Sequence, residues 1–542
     1  MRSERPGPAC ERSQCVFVKC ALLIEFPRDG AKKGKERPMM KPKEERVEKC
    51  ERNSRRGFLK GSVGLVAGVA AAQWLPGRAA AQQSAASPVT LENLRNPNGR
   101  AILLKDGIVL SMDSKVGDFE KADVLIQGKK ILSVGPNVAA PAHTLVVNAT
   151  GMIVMPGFID THHHQFETPL RSILSDGLLG TAGDNAKTYQ GMILGTFTPA
   201  YLPEDARLGE LVASLSQMNA GVTTTVDTSQ VSLTPEHTDA CIAGLRESGR
   251  RALFAYSAGP GAKSQYPQDI VRLRKQYFSS DEQLLTLALG VEPNADRWKL
   301  ARSVGAPIVS HIVNMSTLEP LAKAGLMGPD NEYIHCTRSG NETLWKTIAD
   351  TGGKVSIAPA IEMQMRHGTP PIQMALDHGI RPSLSVDVEC NMTADLFSIM
   401  RAAFTLQRAL LNERALAGEQ NLPPLVTCRD VIEFATIAGA RVAHLDAKIG
   451  TLTPGKEADI ILLATERINT FPLNNVPGTV VTLMDTSNVE HVFIAGKVKK
   501  WQGKLVGVDL TRLRSQIEKS RDGLLARTNQ TRNFFGTCCA AG

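Results

Sequence analysis

The stretch Pro156-Gly157-Phe158-Ile159-Asp160-Thr161-His162-His163-His164 ends a short apolar run with imidazoles at i and i+2. In a strand, side chains alternate between faces, so His162 and His164 share one face while His163 points the other way. Two ring nitrogens then converge on one point. Neutral imidazole suits zinc, iron or nickel, whereas calcium and magnesium want oxygen ligands. A strand ending in this pattern is therefore expected at the rim of a metal-binding fold.

Downstream, apolar runs alternate with helical stretches, the pattern of βα units in a parallel barrel. Eight strands are expected: Ile153–Thr161, Val222–Asp227, Ala252–Tyr256, Leu284–Gly290, Pro307–His311, Tyr333–His335, Lys354–Ala358 and Pro382–Asp387. The connector Glu204–Ala220 carries Leu208, Leu211, Val212, Leu215 and Met218 at helical spacing. Polar groups fall at strand ends: His162 and His164 on the first, His311 on the fifth, His335 on the sixth and Asp387 on the eighth. Active sites of (β/α)8 barrels collect at those C-terminal ends. With only 11 histidines in 542 residues, five functional groups at matching ends argue for one shared site.

Both ends of the chain look different from this middle. Residues 101–148 read as short antiparallel strands broken by turns such as Lys105-Asp106-Gly107, and the texture returns in Ala458–Leu463, Val489–Ile494 and Ala495–Val498. The expected fold is thus α/β, a (β/α)8 barrel over 155–445 with a small composite β-sandwich domain from 82–154 and 446–510. Residues 511–542 form a C-terminal helix and tail. A fixed 20–50-residue repeat is not seen, which excludes a solenoid.

The formal charge of +8 invites a nucleic-acid reading until the charge is located. Residues 1–81 hold 18 Lys+Arg against 9 Asp+Glu, leaving 44 cationic and 45 acidic side chains in 82–542. A phosphate-binding surface needs clustered excess cations, so no nucleic-acid partner is expected. Within 1–81, Ser54-Arg55-Arg56-Gly57-Phe58-Leu59-Lys60 precedes the small, apolar stretch Gly61–Ala72 and then Ala79-Ala80-Ala81. This resembles a twin-arginine export signal, cleaved near Ala81, and implies passage through the twin-arginine machinery to the periplasm. Met39 or Met40 is a candidate start. The stretch is too weakly apolar for a stable membrane anchor. Cys10, Cys15, Cys20 and Cys50 fall in this leader. Cys241, Cys336, Cys390, Cys428, Cys538 and Cys539 show no zinc-ribbon or redox spacing.

Taken together, Pro156–His164, Gly221-Val222-Thr223-Thr224, Gly305–His311, Tyr333-Ile334-His335, Ser383–Asp387 and the tail Gly450–Ile460 resemble the amidohydrolase superfamily. The branch is that of cytosine deaminase, S-adenosylhomocysteine deaminase and the triazine hydrolases, and the match spans roughly residues 100–505. The resemblance implies that His162, His164, His311 and Asp387 bind one divalent metal ion per chain, zinc first, with Fe2+, Co2+ or Mn2+ admitted by the same ligands. Binuclear branches end strand four in a carboxylated lysine, and Leu284–Pro293 contains none. The resemblance also implies that Asp387 moves the proton of the attacking water and that His335 polarises the substrate carbonyl. Family analogy adds a homodimer.

One position departs from the deaminase pattern, which carries Glu three residues after the strand-five histidine. Here His311-Ile312-Val313-Asn314 ends in a neutral amide that cannot act as general acid or base. Acyl C–N hydrolysis makes less demand on such a shuttle, so a small-molecule amide, urea, carbamate or cyclic amide is the expected substrate. A heterocyclic deaminase is the alternative, and an inactive metal-binding barrel the third reading. Asn314, Glu362, His367 and Glu389 are candidate substrate-binding residues, with Glu362 and Glu389 the candidates to replace the shuttle. The glycine- and aromatic-rich segment 167–203, starting on the active-site face, is a candidate lid.

Overall fold

The computed structural model describes residues 89–180, 186–259, 261, 265–338 and 340–536. The leader with Arg55-Arg56 and the Cys538-Cys539 pair lie outside the described residues. Eight parallel strands lie side by side in chain order: β1 (Phe158–His163), β2 (Val222–Ser232), β3 (Arg251–Ala258), β4 (Leu285–Gly290), β5 (Ile308–Asn314), β6 (Asn331–Arg338), β7 (Lys354–Ile357) and β8 (Ser383–Leu384). A parallel bridge between His163 and Asp387 brings the last strand back to the first and closes the barrel. All eight expected strands are present, in a TIM-like barrel.

The expected first strand, Ile153–Thr161, is two strands. Met152–Pro156 pairs with Ile460–Ala464 and Ile102–Val109 in a separate nine-stranded sheet, and only from Phe158 does the chain join the barrel. Both sheets bury this run completely from Ile153 onward, so hydrophobicity alone carries no break. The break is Gly157: a Cβ there would lie 2.2 Å from the Thr223 side chain, which explains why a residue without one is needed where the chain crosses between sheets.

The separate sheet is assembled from both ends of the folded region. Five strands lie between Ile102 and Pro156, and four more are Ile460–Ala464, Val489–Ile494, Lys497–Trp501 and Lys504–Leu505. Most neighbours are antiparallel as expected. Ile102–Val109, however, pairs in parallel with Leu145–Asn148 and Met152–Pro156, because intervening connections return the chain to the same edge. Its own apolar core includes Leu104, Val124, Ile131, Ile460 and Phe493. Inside the barrel, Ile159, Val226, Leu253, Ala288, Val309 and Ile334 pack on Ala440 and Leu445, so the interior is filled with side chains rather than open. The connector between β1 and β2 ends in a helix over Pro203–Asn219, against which the C-terminal helix Leu510–Arg527 packs.

A buried ion cluster fastens barrel to sheet. Arg251, at the start of β3 and 2% exposed, donates from Nε to Asp459 Oδ2 at 2.9 Å and from one terminal nitrogen to Asp459 Oδ1 at 3.0 Å and Glu457 Oε2 at 2.6 Å. Removing one partner of a buried pair strands the other charge. Arg251→Ala is therefore expected to cost about 3–5 kcal/mol, read as a lowered urea midpoint; an unchanged midpoint would refute the clamp.

Candidate active site

His162 and His164 leave β1 on the same side, with ring centroids 4.7 Å apart. His163 turns away, its Nδ1 3.4 Å from the Asp160 carboxylate. The strand pairing shifts register between Asp160 and His163, where the imidazoles reach the barrel mouth. From β5, His311 brings its Nε2 to 3.3 Å from His164 Nε2. Asp387, just beyond β8, sets Oδ1 3.1 Å from His162 Nε2 and 3.6 Å from His164 Nε2. The four side chains expected as ligands are thus brought together from three separate strand ends.

Hydrogen bonds on the far side of each ring decide what faces inward. His164 Nδ1 lies 3.1 Å from the Thr228 carbonyl, which can only accept, so Nδ1 carries the proton and Nε2 presents a lone pair. The Thr228 hydroxyl holds His162 Nδ1 at 3.0 Å, and His162 Nε2 is buried with no hydrogen bond. Burial holds His162 below the ordinary histidine range despite the opposing pull of Asp387. Burial, reinforced by the neighbouring rings, pushes His164 and His311 well below it. Asp387 is pulled well below the usual carboxylate range, because His162, His335 and His164 outweigh the opposing effect of burial. Neutral imidazoles with converging lone pairs beside an ionised carboxylate are the donor set of a zinc-type cation. These residues fit such an ion.

Backbone geometry at the site is unusual. Asp387 has φ +65° and His335 φ +73°, a region that non-glycine residues enter at a cost of about 1–3 kcal/mol. Asp387 is held there by its N–H to the His162 carbonyl at 2.9 Å and by its own carbonyl accepting from His164 N–H at 2.8 Å. Asp160 adds a brace, its Oδ1 accepting from Val386 N–H at 3.1 Å and His162 N–H at 3.3 Å.

His335 stands beside the cluster, Nε2 3.7 Å from Asp387 Oδ2. Its Nδ1–H donates to Glu362 Oε1 at 3.0 Å. Burial opposes charge on this ring, but Glu362 and Asp387 together raise its pKa. Glu362 also accepts from Ala358 N–H at 2.9 Å. Fully buried, it lies behind His335 and outside the cavity lining. Glu389 also lies outside that lining. It is taken up by Arg171 at 2.7 Å and the Thr168 hydroxyl at 2.6 Å, facing a neighbouring depression instead.

A cavity of about 400 Å³ opens over the cluster. His164, His311, His335, His367 and Asp387 line it, as does Asn314, whose Oδ1 accepts from Ser316 N–H at 3.1 Å and so caps the next turn. Segment 167–203 contributes a wall, with Leu179, Tyr189, Gln190 and Leu194 lining the cavity. Its described residues include a π-helical stretch over Tyr189–Phe197 and 3-10 turns over Gln165–Leu170 and Thr198–Ala200. The Tyr189 hydroxyl donates to buried Glu167 at 2.7 Å. Sequence reasoning missed Glu292, which lines the cavity with Oε1 3.8 Å from His311 Nδ1, and Thr228, which orients two ligands. Glu292 could have been noticed at the end of β4; nothing in a threonine-rich strand marks Thr228.

Partners that orient metal-ligating imidazoles typically affect affinity 10–100-fold. Thr228→Val is expected to weaken zinc binding by about 10-fold or more, measured by competition with a chelator, while His162→Ala abolishes stoichiometric zinc. Wild-type affinity in the valine variant would show that the hydroxyl does not orient His162.

Comparison with known proteins agrees with this architecture. A profile of the amidohydrolase family matches residues 301–499. The chain is 26% identical over 450 residues to a 5'-deoxyadenosine deaminase of Methanosarcina mazei, covering 79% of this chain and 99% of that protein. It is 24% identical to a 5-methylthioadenosine/S-adenosylhomocysteine deaminase of Desulfitobacterium hafniense over 78% and 98% of the two chains. Among solved structures, an adenosine deaminase of Xanthomonas campestris with bound zinc superposes with a TM-score of 0.68 at 21% identity, covering 78% of this chain and 98% of that one. An atrazine chlorohydrolase of Arthrobacter aurescens complexed with zinc gives 0.67 at 20% identity, covering 78% and 100%. Residues 301–499 thus match the amidohydrolase family, and over about four-fifths of its length the chain is similar to deaminases and shares the fold of triazine hydrolases.

Proposed function

We propose that this enzyme hydrolyses a non-peptide carbon–nitrogen bond of a small molecule, with one catalytic zinc ion held by His162, His164, His311 and Asp387. The observation that carries the reading is the meeting of this ligand set with His335, oriented by Glu362, under a cavity of about 400 Å³. A cation bound there supplies Lewis acidity and lowers the pKa of bound water from about 15.7 to about 7. Asp387 Oδ2, on the side away from His162, accepts the proton of the attacking water and returns it to the leaving nitrogen. His335, with Nδ1–H committed to Glu362 and a second proton on Nε2, donates Nε2–H to the oxygen that gains charge.

The cavity wall narrows the substrate class. Among the described residues lining it there is no lysine or arginine, so nothing there answers a phosphate or carboxylate. Leu179, Leu194, Val313 and Met365 supply apolar surface, and Gln190 and Gln230 supply amides. This supports an uncharged, part-apolar molecule such as a cyclic amide, urea or carbamate.

A second reading, deamination of a ring amine, is favoured by one observation and by the named deaminase relatives. Glu292 places a carboxylate on the cavity wall from β4, where Asn314 on β5 cannot serve. Such a group contributes typically 10²–10⁴-fold to proton transfer.

Incubating zinc-loaded enzyme with matched panels of ring amines and of amides, ureas and carbamates separates the readings by product mass. Fragmentation or ring opening by water is the expected result. A gain of roughly one mass unit, an amine exchanged for oxygen, would establish deamination instead, and Glu292→Gln should then lower kcat by about 10²-fold or more. His335→Asn is expected to lower kcat on either substrate by a similar factor while the tightly bound zinc equivalent stays unchanged.

The Ser54–Lys60 leader supports a further part of this proposal, export to the periplasm through the twin-arginine machinery. Replacing Arg55 and Arg56 by lysine should leave the precursor in the cytoplasmic fraction. Undiminished export would refute it.

A further inference from the structure

We propose that His335, His367 and the second oxygen of Asp387 form an additional, weaker divalent-cation site beside the catalytic one. His367 lies 3% exposed on the cavity wall, and both of its ring nitrogens are buried without a hydrogen bond. Its backbone is pinned on both sides. The His367 N–H donates to the Glu362 carbonyl at 3.0 Å, and its carbonyl accepts from the Thr337 hydroxyl at 3.0 Å. Gly368 follows with φ +137°, where a Cβ would lie 2.9 Å from the Thr337 carbonyl oxygen. The ring is therefore aimed into the cavity by a rigid loop and given nothing to bind there. Buried polar groups are ordinarily satisfied, so this one points to a ligand.

The neighbours of His367 define which ligand. Its ring centroid is 4.9 Å from that of His335 at 85°, and one donor atom each from His335, His367 and Asp387 all lie within 4.8 Å of one another. Asp387 divides between two clusters: Oδ1 faces His162 and His164, while Oδ2 faces His335 Nε2 at 3.7 Å. A carboxylate shared in this way can bridge two cations about 3.5–4 Å apart, as in two-metal hydrolytic sites. Two imidazoles and a carboxylate with an open position are zinc-type ligands. The missing lysine on β4 argues only against a lysine-bridged pair, and this arrangement uses none.

With three ligands against four, and with His335 also tied to Glu362, the additional site is the weaker. Its occupancy removes Asp387 Oδ2 from proton transfer and His335 Nε2 from the oxygen that gains charge, so excess zinc inhibits. That consequence rests on the roles assigned above; the binding itself does not.

The test is zinc binding to the chelator-stripped full-length chain, by equilibrium dialysis with metal analysis, in wild type, His367→Ala and His367→Gln. The expected result is that each variant keeps the tight equivalent and binds one fewer zinc ion in the range at least 10-fold weaker. An unchanged count in both variants overturns the proposal, and a raised KM there would assign His367 to substrate. Loss of the tight equivalent from both also overturns it. A variant that lacks the weaker zinc, yet is inhibited by excess zinc like wild type, would separate binding from inhibition and refute the latter. Because the count needs no substrate, failure here leaves the hydrolase reading standing.

Discussion

The site depends on closure of the barrel between its first and last strands. His162 and Asp387 are 225 positions apart in the chain, yet their main chains exchange hydrogen bonds through the His162 carbonyl and the His164 N–H. Those bonds hold Asp387 in a left-handed conformation that a free chain would leave. Asp160 reinforces the seam by accepting from both Val386 and His162. Ligand geometry is therefore not a local property of the His162–His164 pattern. It is set where two strand ends must meet for the barrel to be a barrel, and a cation drawing on β1, β5 and the residue beyond β8 would bind the same seam together.

Around that seam, polarity is organised in pairs that each fix one proton. Thr228 makes His164 present Nε2, and Glu362 does the same for His335. The two cases differ in their electrostatic consequence. A backbone carbonyl leaves His164 neutral, suited to a cation. A buried carboxylate raises the affinity of His335 for a second proton, suited to donating toward a developing negative oxygen. One residue type is thus given two roles by the atom behind it.

Much of this was legible in the sequence because barrel strands announce themselves as buried apolar runs and their ends carry the polar exceptions. His162, His164, His311, His335 and Asp387 could be named for that reason. The limits have equally physical causes. Ile153–Thr161 reads as one strand because two sheets bury it alike, and only Gly157 marks the crossing. Glu362 and Glu389 share a sequence signature, a carboxylate just past a strand end, but one turns inward to His335 and the other finds Arg171 more than 200 residues earlier. Sequence spacing cannot decide which partner a buried carboxylate finds, because the partner comes from another strand.

The same reasoning bears on the shuttle position. Asn314 stands where deaminase relatives are expected to carry a carboxylate, and it spends its side-chain oxygen on capping the following turn. A barrel, however, presents one cavity to eight strand ends, so a missing group on β5 can be supplied from a neighbour. Glu292 comes from just past β4, the strand paired with β5, and reaches the cavity beside His311. What such an exchange alters is direction: the proton arrives from the β4 side of the cavity rather than from the β5 side. A substrate whose leaving nitrogen faces β4 is then served, and one that faces Asn314 is not. The choice between amide cleavage and deamination thereby becomes a question of substrate orientation over His311 rather than of whether a carboxylate is present.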